Sequence, residues 1–381
     1  HRRGVIACAV TADGRRVVSA SSDRTLKIWD LESELAPPVL PGGTGEMDAR
    51  AMAADEHRAA STSGLESELA PPVFPGHTGA VNACVVTADG RRAVSASKDG
   101  TLKVWDESGR VLATLPGHRG GVTACAVTAD GRRAVSVSED RRLKVWDLET
   151  GQAVATLKGH GERVLACAVT SDGRRAVSGS EDRTLKVWDL ESGRALVTVE
   201  IQRGVTACAV TSDGRRAVSA SQDWMLRVWD LESGQELATL KGHSGLVNAC
   251  AVTADRRVVS ASWDRTLRIW ELESGRELAT LSGHLGSVTA CAVTADGRWA
   301  VSGSEDRTLK VWDLESQACV FTHRGDAVYT AVTIAAGMIV AGDVAGSVWF
   351  LDWSPPDRRA ESPRDAGMDT TGAPQAVVSP R

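Results

Sequence analysis

The sequence predicts an all-β fold, a single β-propeller of four-stranded antiparallel blades. Eight blades are favoured, and nine if a damaged unit at 42–64 still counts. Three observations carry this. Trp followed by an acidic residue recurs at Trp29, Trp105, Trp146, Trp188, Trp229, Trp270 and Trp312, every 41 or 42 residues from Trp105 onward. A Gly-His pair stands ahead of most of them, at His77, His118, His160, His243 and His284. Between these marks the chain alternates apolar and polar residues with period two. A repeat of about 40–45 residues punctuated in this way is the signature of a propeller blade.

The unit from Gly76 to Asp106 shows how each element arises. Val81 to Thr87 is rich in β-branched residues and predicts a first strand. Ala88-Asp89-Gly90-Arg91 predicts a turn, with Gly where positive φ carries no steric cost. Arg92 to Ser97 predicts a second strand. Lys98-Asp99-Gly100 turns the chain into Thr101 to Trp105, which alternates cleanly as a third strand. Glu107-Ser108-Gly109 turns again, and Val111 to Leu115 predicts the fourth. No sustained helical pattern is present.

These units resemble the WD-repeat β-propeller family, and the resemblance covers residues 1–353. It implies a structural tetrad in each complete unit: His before the first strand, Ser in the second, Asp in the following turn and Trp in the third. By resemblance, the indole N–H contacts Ser, Ser contacts His, and His contacts Asp, a buried chain in which each donor meets an acceptor. The complete sets are His1/Ser19/Asp23/Trp29, His77/Ser95/Asp99/Trp105, His118/Ser136/Asp140/Trp146, His160/Ser178/Asp182/Trp188, His243/Ser260/Asp264/Trp270 and His284/Ser302/Asp306/Trp312. A Ser-His-Asp triad would use the same residue types. Six copies of one constellation argue for architecture, since an enzyme needs one. No GxxxxGK[ST], HExxH or GxGxxG sequence occurs.

Composition narrows the function. Net charge is −5, with no basic footprint for nucleic acid or an anionic membrane. No apolar stretch approaches the ~20 residues that span a bilayer. Seven of eight cysteines share one repeat position: Cys8, Cys84, Cys125, Cys167, Cys208, Cys250 and Cys291. Equivalent positions lie in different blades, on strands that do not pair, so disulfides are not expected. These cysteines read as small buried hydrophobes, which suits a reducing, cytoplasmic compartment. His-x6-Cys recurs as well, but an extended chain at ~3.3 Å per residue holds the two side chains up to ~20 Å apart. Zinc ligands must converge to about 2.3 Å from the ion. No metal and no cofactor are expected.

Departures from the repeat locate its irregular parts. After Gly42 a unit has lost its His (Gly43), its β-branched strand and its entire Trp-Asp strand, and LESELAPPV occurs at 31–39 and again at 65–73. The unit near 200 has Ile201 in place of His, and the last unit has Leu351 in place of Trp. The chain opens at a tetrad His, so the outer strand that this family usually brings from the opposite end of the chain is absent at the N-terminus. Either the chain is a piece of a longer one or the ring closes differently. Residues 354–381 hold five prolines and no periodicity, and read as a disordered tail or linker. Gln375-Ala376-Val377-Val378 is the piece of it that could supply a strand.

Two connections barely change between units, the Ala/Ser-Asp-Gly-Arg-Arg turn and the Leu-Glu-Ser/Thr-Gly turn. By resemblance both lie on one rim. The opposite rim varies: Thr78-Gly79-Ala80, Arg119-Gly120-Gly121, Gly161-Glu162-Arg163, Ser244-Gly245-Leu246 and Leu285-Gly286-Ser287 follow His, while Ser22, Lys98, Glu139, Glu181, Gln222, Trp263 and Glu305 precede Asp. One diversified rim on a uniform scaffold reads as a recognition surface. Drift at exposed positions after repeat amplification is the bland reading, and the uniformity of the other rim weighs against it. The candidate partner-binding residues are Trp224, Trp263, Gln222 and Leu246, with Arg119, Arg163, Lys98, Glu139, Glu181 and Glu305 as a charged surround. Exposed indoles fit a binding hot spot, or each folds down over its own blade.

The functional expectation is a non-catalytic protein–protein interaction scaffold or sensor, one monomeric propeller within a larger cytoplasmic signalling protein. It would take a protein or peptide on the variable rim, and neither nucleic acid nor membrane. The close similarity among units resembles propellers fused behind nucleotide-triphosphatase signalling domains, which is analogy. A small-molecule or glycan receptor using the propeller face or central channel is the alternative. A propeller hydrolase needs one blade with unique acidic or His residues, which the repeats do not offer.

Overall fold

The computed structural model describes residues 1–11, 13–30, 73–75, 77–106, 108–335, 338–352 and 378–380. All its regular elements are strands, and they form eight sheets of four, each in sequential antiparallel order. Blade 1 holds β1 (Val5–Val10), β2 (Arg16–Ser21), β3 (Thr25–Asp30) and β4 (Val73–Pro75). Blade 2 holds β5 (Val81–Val86), β6 (Arg92–Ser97), β7 (Thr101–Asp106) and β8 (Val111–Pro116). Blade 3 holds β9 (Val122–Val127), β10 (Arg133–Ser138), β11 (Arg142–Asp147) and β12 (Ala153–Lys158). Blade 4 holds β13 (Val164–Val169), β14 (Arg175–Ser180), β15 (Thr184–Asp189) and β16 (Ala195–Glu200). Blade 5 holds β17 (Val205–Val210), β18 (Arg216–Ser221), β19 (Leu226–Asp230) and β20 (Glu236–Leu240). Blade 6 holds β21 (Val247–Val252), β22 (Arg257–Ser262), β23 (Leu267–Glu271) and β24 (Glu277–Leu281). Blade 7 holds β25 (Val288–Val293), β26 (Trp299–Ser304), β27 (Thr308–Asp313) and β28 (Ala318–Arg324). Blade 8 holds β29 (Tyr329–Ala335), β30 (Met338–Asp343), β31 (Val348–Asp352) and β32 (Val378–Pro380).

The first strands touch one another in succession around the axis, and β29 returns to β1, so the ring is closed. The nine-blade alternative is therefore corrected. The damaged unit at 42–64 lies outside the described residues. Its flank at Val73–Pro75 pairs with β3, Lys27 opposite Val73 and Thr25 opposite Pro75. The second copy of the duplicated segment thus begins the outer strand of blade 1.

Closure at the far end departs from the expected tail. Val378–Pro380 pairs with β31, Leu351 opposite Val378 and Trp349 opposite Pro380. Residues 354–377 lie outside the described residues, but the last three strand residues are not a free tail. The physical reason is the edge of β31, whose backbone N–H and C=O groups need partners.

The core lies in the seams between blades. Second strands are almost wholly buried, as in Ala93, Val94, Ser95, Ala96 and Ser97. Each hydrophobic cluster mixes two blades: Val94, Leu102, Val104 and Leu115 of blade 2 pack with Val122, Ala134 and Trp146 of blade 3. First strands carry a bulge after their opening residue, as between Val81 and Ala83. The bulged side chain reaches the next blade. Asn82 Nδ2 donates to Val122 O at 2.7 Å, Thr206 Oγ1 to Val247 O at 3.0 Å, and Asn248 Nδ2 to Val288 O at 2.8 Å. Thr123, Thr289 and Thr330 make the same bond, the last one closing the ring onto Val5. Ile6 and Leu165 hold this position in blades 1 and 4 and carry no polar group.

Ending the chain after Asp352 leaves the outer edge of β31 bare. The truncated protein should lose about 1–3 kcal/mol, for a few net backbone hydrogen bonds, and should self-associate through that edge. Light scattering and urea melts check this; a monomeric variant of unchanged midpoint refutes the role of β32.

Candidate functional site

Five blades build the tetrad in full. In blade 4, Trp188 Nε1 donates to Ser178 Oγ at 2.8 Å, His160 Nε2 meets the same hydroxyl at 2.8 Å, and His160 Nδ1 faces Asp182 Oδ2 at 2.9 Å. The Asp also takes the N–H of Gly161, so it fixes the connection that leads into the first strand.

The other four repeat this geometry. In blade 2, Ser95 takes the Trp105 indole N–H and meets His77 Nε2, both at 2.8 Å. In blade 3, Ser136 does the same with Trp146 and His118, again at 2.8 Å. In blade 6, Ser260 lies 2.8 Å from Trp270 Nε1 and 2.7 Å from His243 Nε2. In blade 7, Ser302 lies 2.8 Å from Trp312 Nε1 and 2.7 Å from His284 Nε2. The His contacts to Asp99, Asp140, Asp264 and Asp306 are 3.0, 2.9, 2.7 and 3.0 Å. In blade 1, His1 meets Ser19 at 2.8 Å and Thr25 at 2.6 Å, and its distance to Asp23 is 3.6 Å.

Burial decides what these serines can do. Ser95, Ser136, Ser178, Ser260 and Ser302 each have 0% exposure. No substrate or partner reaches their hydroxyls, so they are not functional-site residues in the sense of contact or attack. They differ in this from the rim candidates named beside them in the sequence. Their place in the middle of the second strand, under the third-strand indole, seals them off, and their role is confined to joining Trp to His.

Two blades solve the same problem differently. In blade 5 Ile201 is buried in the His place, and Asp223 would lose its donor. Arg227, itself buried, turns its guanidinium to Asp223 at 2.7 Å and Ser221 at 3.2 Å. Burial opposes ionisation of Asp223, but hydrogen bonds from Arg227 and Ser221 outweigh it. In blade 8 Leu351 fills the tetrad Trp place without a polar group. Trp349, two residues earlier, donates instead to the buried Asp343 at 2.9 Å, which also takes the N–H groups of Ala345, Gly346 and Ser347. His323 Nδ1 lies 2.8 Å from the Tyr329 hydroxyl beside them.

The seven repeat cysteines lie on first strands against the neighbouring blade: Cys84 Sγ faces Val18 O at 3.6 Å and Cys125 Sγ faces Val94 O at 3.9 Å. Burial pushes the Cys8, Cys125 and Cys250 thiols up to about 12. Thiols held neutral in this way act as packing groups, not nucleophiles.

The variable rim has a regular inner layer. The residue ahead of each tetrad Asp donates its backbone N–H to the residue ahead of the first strand: Lys98 to Ala80 at 2.8 Å, Glu139 to Gly121 and Glu181 to Arg163 at 3.0 Å. Gln222 donates to Gly204, Trp263 to Leu246 and Glu305 to Ser287 at 2.9 Å. The structure thus joins Trp263 directly to Leu246. It also brings Arg163 and Glu181 together, but as a two-pronged ion pair at 2.9 Å. Gly204 bridges two blades, a Cβ there lying 3.2 Å from Glu181 Cα and 3.3 Å from Gln222 Cδ. Arg119 is held through its N–H to Asp140. The charged residues therefore sit mainly in blades 2–4, with Glu305 in blade 7, beside the indoles of blades 5 and 6 and not around them.

Both indoles stand in solvent: Trp224 is 50% and Trp263 56% exposed. Trp224 also has φ +70°, at the position where blade 2 has Gly100 at +82° and five other blades have Arg. A bulky side chain gains nothing from that backbone conformation. Leu285, on the next blade, is 84% exposed and was not among the sequence-derived candidates. The comparison of the residues that follow His contains it: Thr78, Arg119, Gly161, Ser244 and Leu285.

Eight four-stranded blades, five of them with a complete indole–Ser–His–Asp chain that pins the rim connection, define a WD-repeat propeller. The chain belongs to the family described as WD domain, G-beta repeat, whose model matches residues 1–30, 71–106, 109–147, 151–189, 196–230, 234–271 and 275–313. Blade 8 lies outside these matches. Among solved structures, the chain is similar to the computationally designed Ika8 protein, at 30% identity and a TM-score of 0.74, over 92% of this chain and 96% of that one. No curated protein matches it.

Replacing Trp188 with Phe keeps the ring but removes the donor to Ser178. The expected cost is about 1–3 kcal/mol from a buried unpaired group; a urea midpoint equal to or above that of the parent refutes the role of this chain of contacts.

Burial pushes His77, His118, His160, His243 and His284 below their ordinary pKa, against the upward pull of their Asp partners. The unfolded chain takes up these protons near pH 6.5, the folded chain only at lower pH. Stability is thus full above about pH 6.5 and falls as pH drops below it. The tetrad Asp residues add a second loss below about pH 4. Burial opposes their ionisation, but Thr hydroxyls, backbone N–H groups and the His partner hold Asp99 and Asp306 at about 2. Melting temperature measured from pH 8 to 5 should fall only in the acid half, and a rise on acidification contradicts the assignment.

Proposed function

We propose that the chain is a non-catalytic docking module that takes a protein or peptide on its variable rim, centred on Trp224 and Trp263. WD-repeat propellers generally bind proteins. The observation that carries the finer reading is the run of exposed large apolar residues on consecutive blades, Trp224, Trp263 and Leu285, on one rim. Trp is the residue type most enriched in binding hot spots. The channel is a weaker candidate, because its Asn and Thr side chains are engaged by carbonyls of neighbouring blades. A place within a larger cytoplasmic signalling protein, with one monomeric propeller per chain, completes the proposal.

Panning a random peptide library on the protein tests it. Selected peptides should lose at least tenfold in affinity on Trp224→Gly or Trp263→Ala and keep it on Arg132→Ala, on the opposite rim. Thermal stability should be unchanged for Trp263→Ala and unchanged or raised for Trp224→Gly. If both changes lower the melting temperature by many degrees, the indoles are packing groups and the proposal fails.

A further inference from the structure

Blade 1 takes its outer strand from a segment that the sequence supplies twice. Residues 31–45 and 65–79 are the same but for two positions, Leu40 against Phe74 and Gly43 against His77. The later copy is the one paired with β3, where Leu26 stands opposite Phe74 and Thr25 opposite Pro75. Complete blades have the same register: Leu143 stands opposite Leu157, Leu226 opposite Leu240 and Leu267 opposite Leu281. Leu157, Leu240 and Leu281 are buried, so the place opposite Leu26 calls for an apolar residue.

The earlier copy fits that place by spacing as well as by composition. Leu157, Leu240 and Leu281 each follow the third-strand Trp of their blade by 11 residues, and Leu40 follows Trp29 by 11. Phe74 follows Trp29 by 45. Residues 39–41 lie outside the described residues, and their sequence carries the argument: Val-Leu-Pro against Val-Phe-Pro. Two physical effects oppose each other. The earlier copy closes a connection as short as those of the other blades and loses less chain entropy. The later copy ends two residues before His77, which Ser95 at 2.8 Å and Asp99 at 3.0 Å hold in the tetrad of blade 2. That short tether keeps the later copy concentrated at the edge. The earlier copy has Gly43 in the place of the imidazole.

We propose that the outer edge of β3 takes either copy: residues 39–41 replace Val73–Pro75, with Leu40 opposite Leu26 and Pro41 opposite Thr25. The edge needs a strand to satisfy its backbone groups, and both copies offer the same backbone and nearly the same side chains. Exchange passes the stretch between the two copies from inside blade 1 to the connection between blades 1 and 2. The ring stays closed, because the first strands that close it take no part.

Phe74→Asp, Leu40→Asp and the double variant, made in the full chain, test this. Phe74→Asp should lose less than half of the melting temperature that the double variant loses, because the earlier copy takes over. Leu40→Asp alone should leave it unchanged. Methyl NMR of Phe74→Asp should show contacts between Leu26 and Leu40, in a protein that light scattering finds monomeric. A Phe74→Asp chain that is unfolded or melts as low as the double variant, lacks the Leu26–Leu40 contacts, or shows them only as a dimer overturns the inference.

Discussion

A blade of this protein cannot bury its own faces. Each four-stranded sheet presents apolar residues on both sides, and only a neighbouring blade covers them, as Trp146 of blade 3 covers Val94 and Val104 of blade 2. Every other feature follows from that dependence. The ring must close, or two faces stay wet. Closure fixes the radius, which sets the first strands side by side around the axis. Their bulges then aim Asn and Thr side chains at the next blade, where an outward-turned polar group would have had no partner.

The tetrad serves the rim more than the core. Its indole and Ser are buried, but its Asp holds the backbone N–H of the residue after His, as Asp182 holds Gly161. Connections that would otherwise be mobile loops are pinned at both ends. A pinned connection tolerates almost any side chain at its outward positions, so Thr78, Arg119, Ser244 and Leu285 occupy one backbone geometry. Diversity on this rim therefore costs little stability, which is the condition a recognition surface needs.

The blade period, the order of strands and six candidate tetrads were legible in the sequence because each is a local pattern repeated; five of the six are built in full, and in blade 1 His1 turns to Thr25, 3.6 Å from Asp23. What was not legible is non-local compensation. Arg227 occupies a position where six other blades have Lys or Arg, and nothing in its neighbourhood in sequence marks it as the stand-in for a missing His. Trp349 and Asp343 form their pair at positions shifted from the repeat, so the last unit read only as one that had lost its Trp. The pairing of β31 with Val378–Pro380 depends on an unpaired edge far away in sequence. On the rim, the regularity that places Trp263 against Leu246 was readable, but the ion pair that engages Arg163 and Glu181 was not, since charge type alone does not reveal which partner a side chain has taken.

The belt of side-chain bonds around the channel is interrupted twice, at Ile6 and at Leu165. The ring is therefore two laced arcs, blades 2 to 4 and blades 5 to 8 with blade 1, joined by two seams without lacing. A closed ring shares strain evenly only when its joints are equal. Here they are unequal, because the seams after Ile6 and Leu165 lack the polar tie across the channel wall that the other six carry.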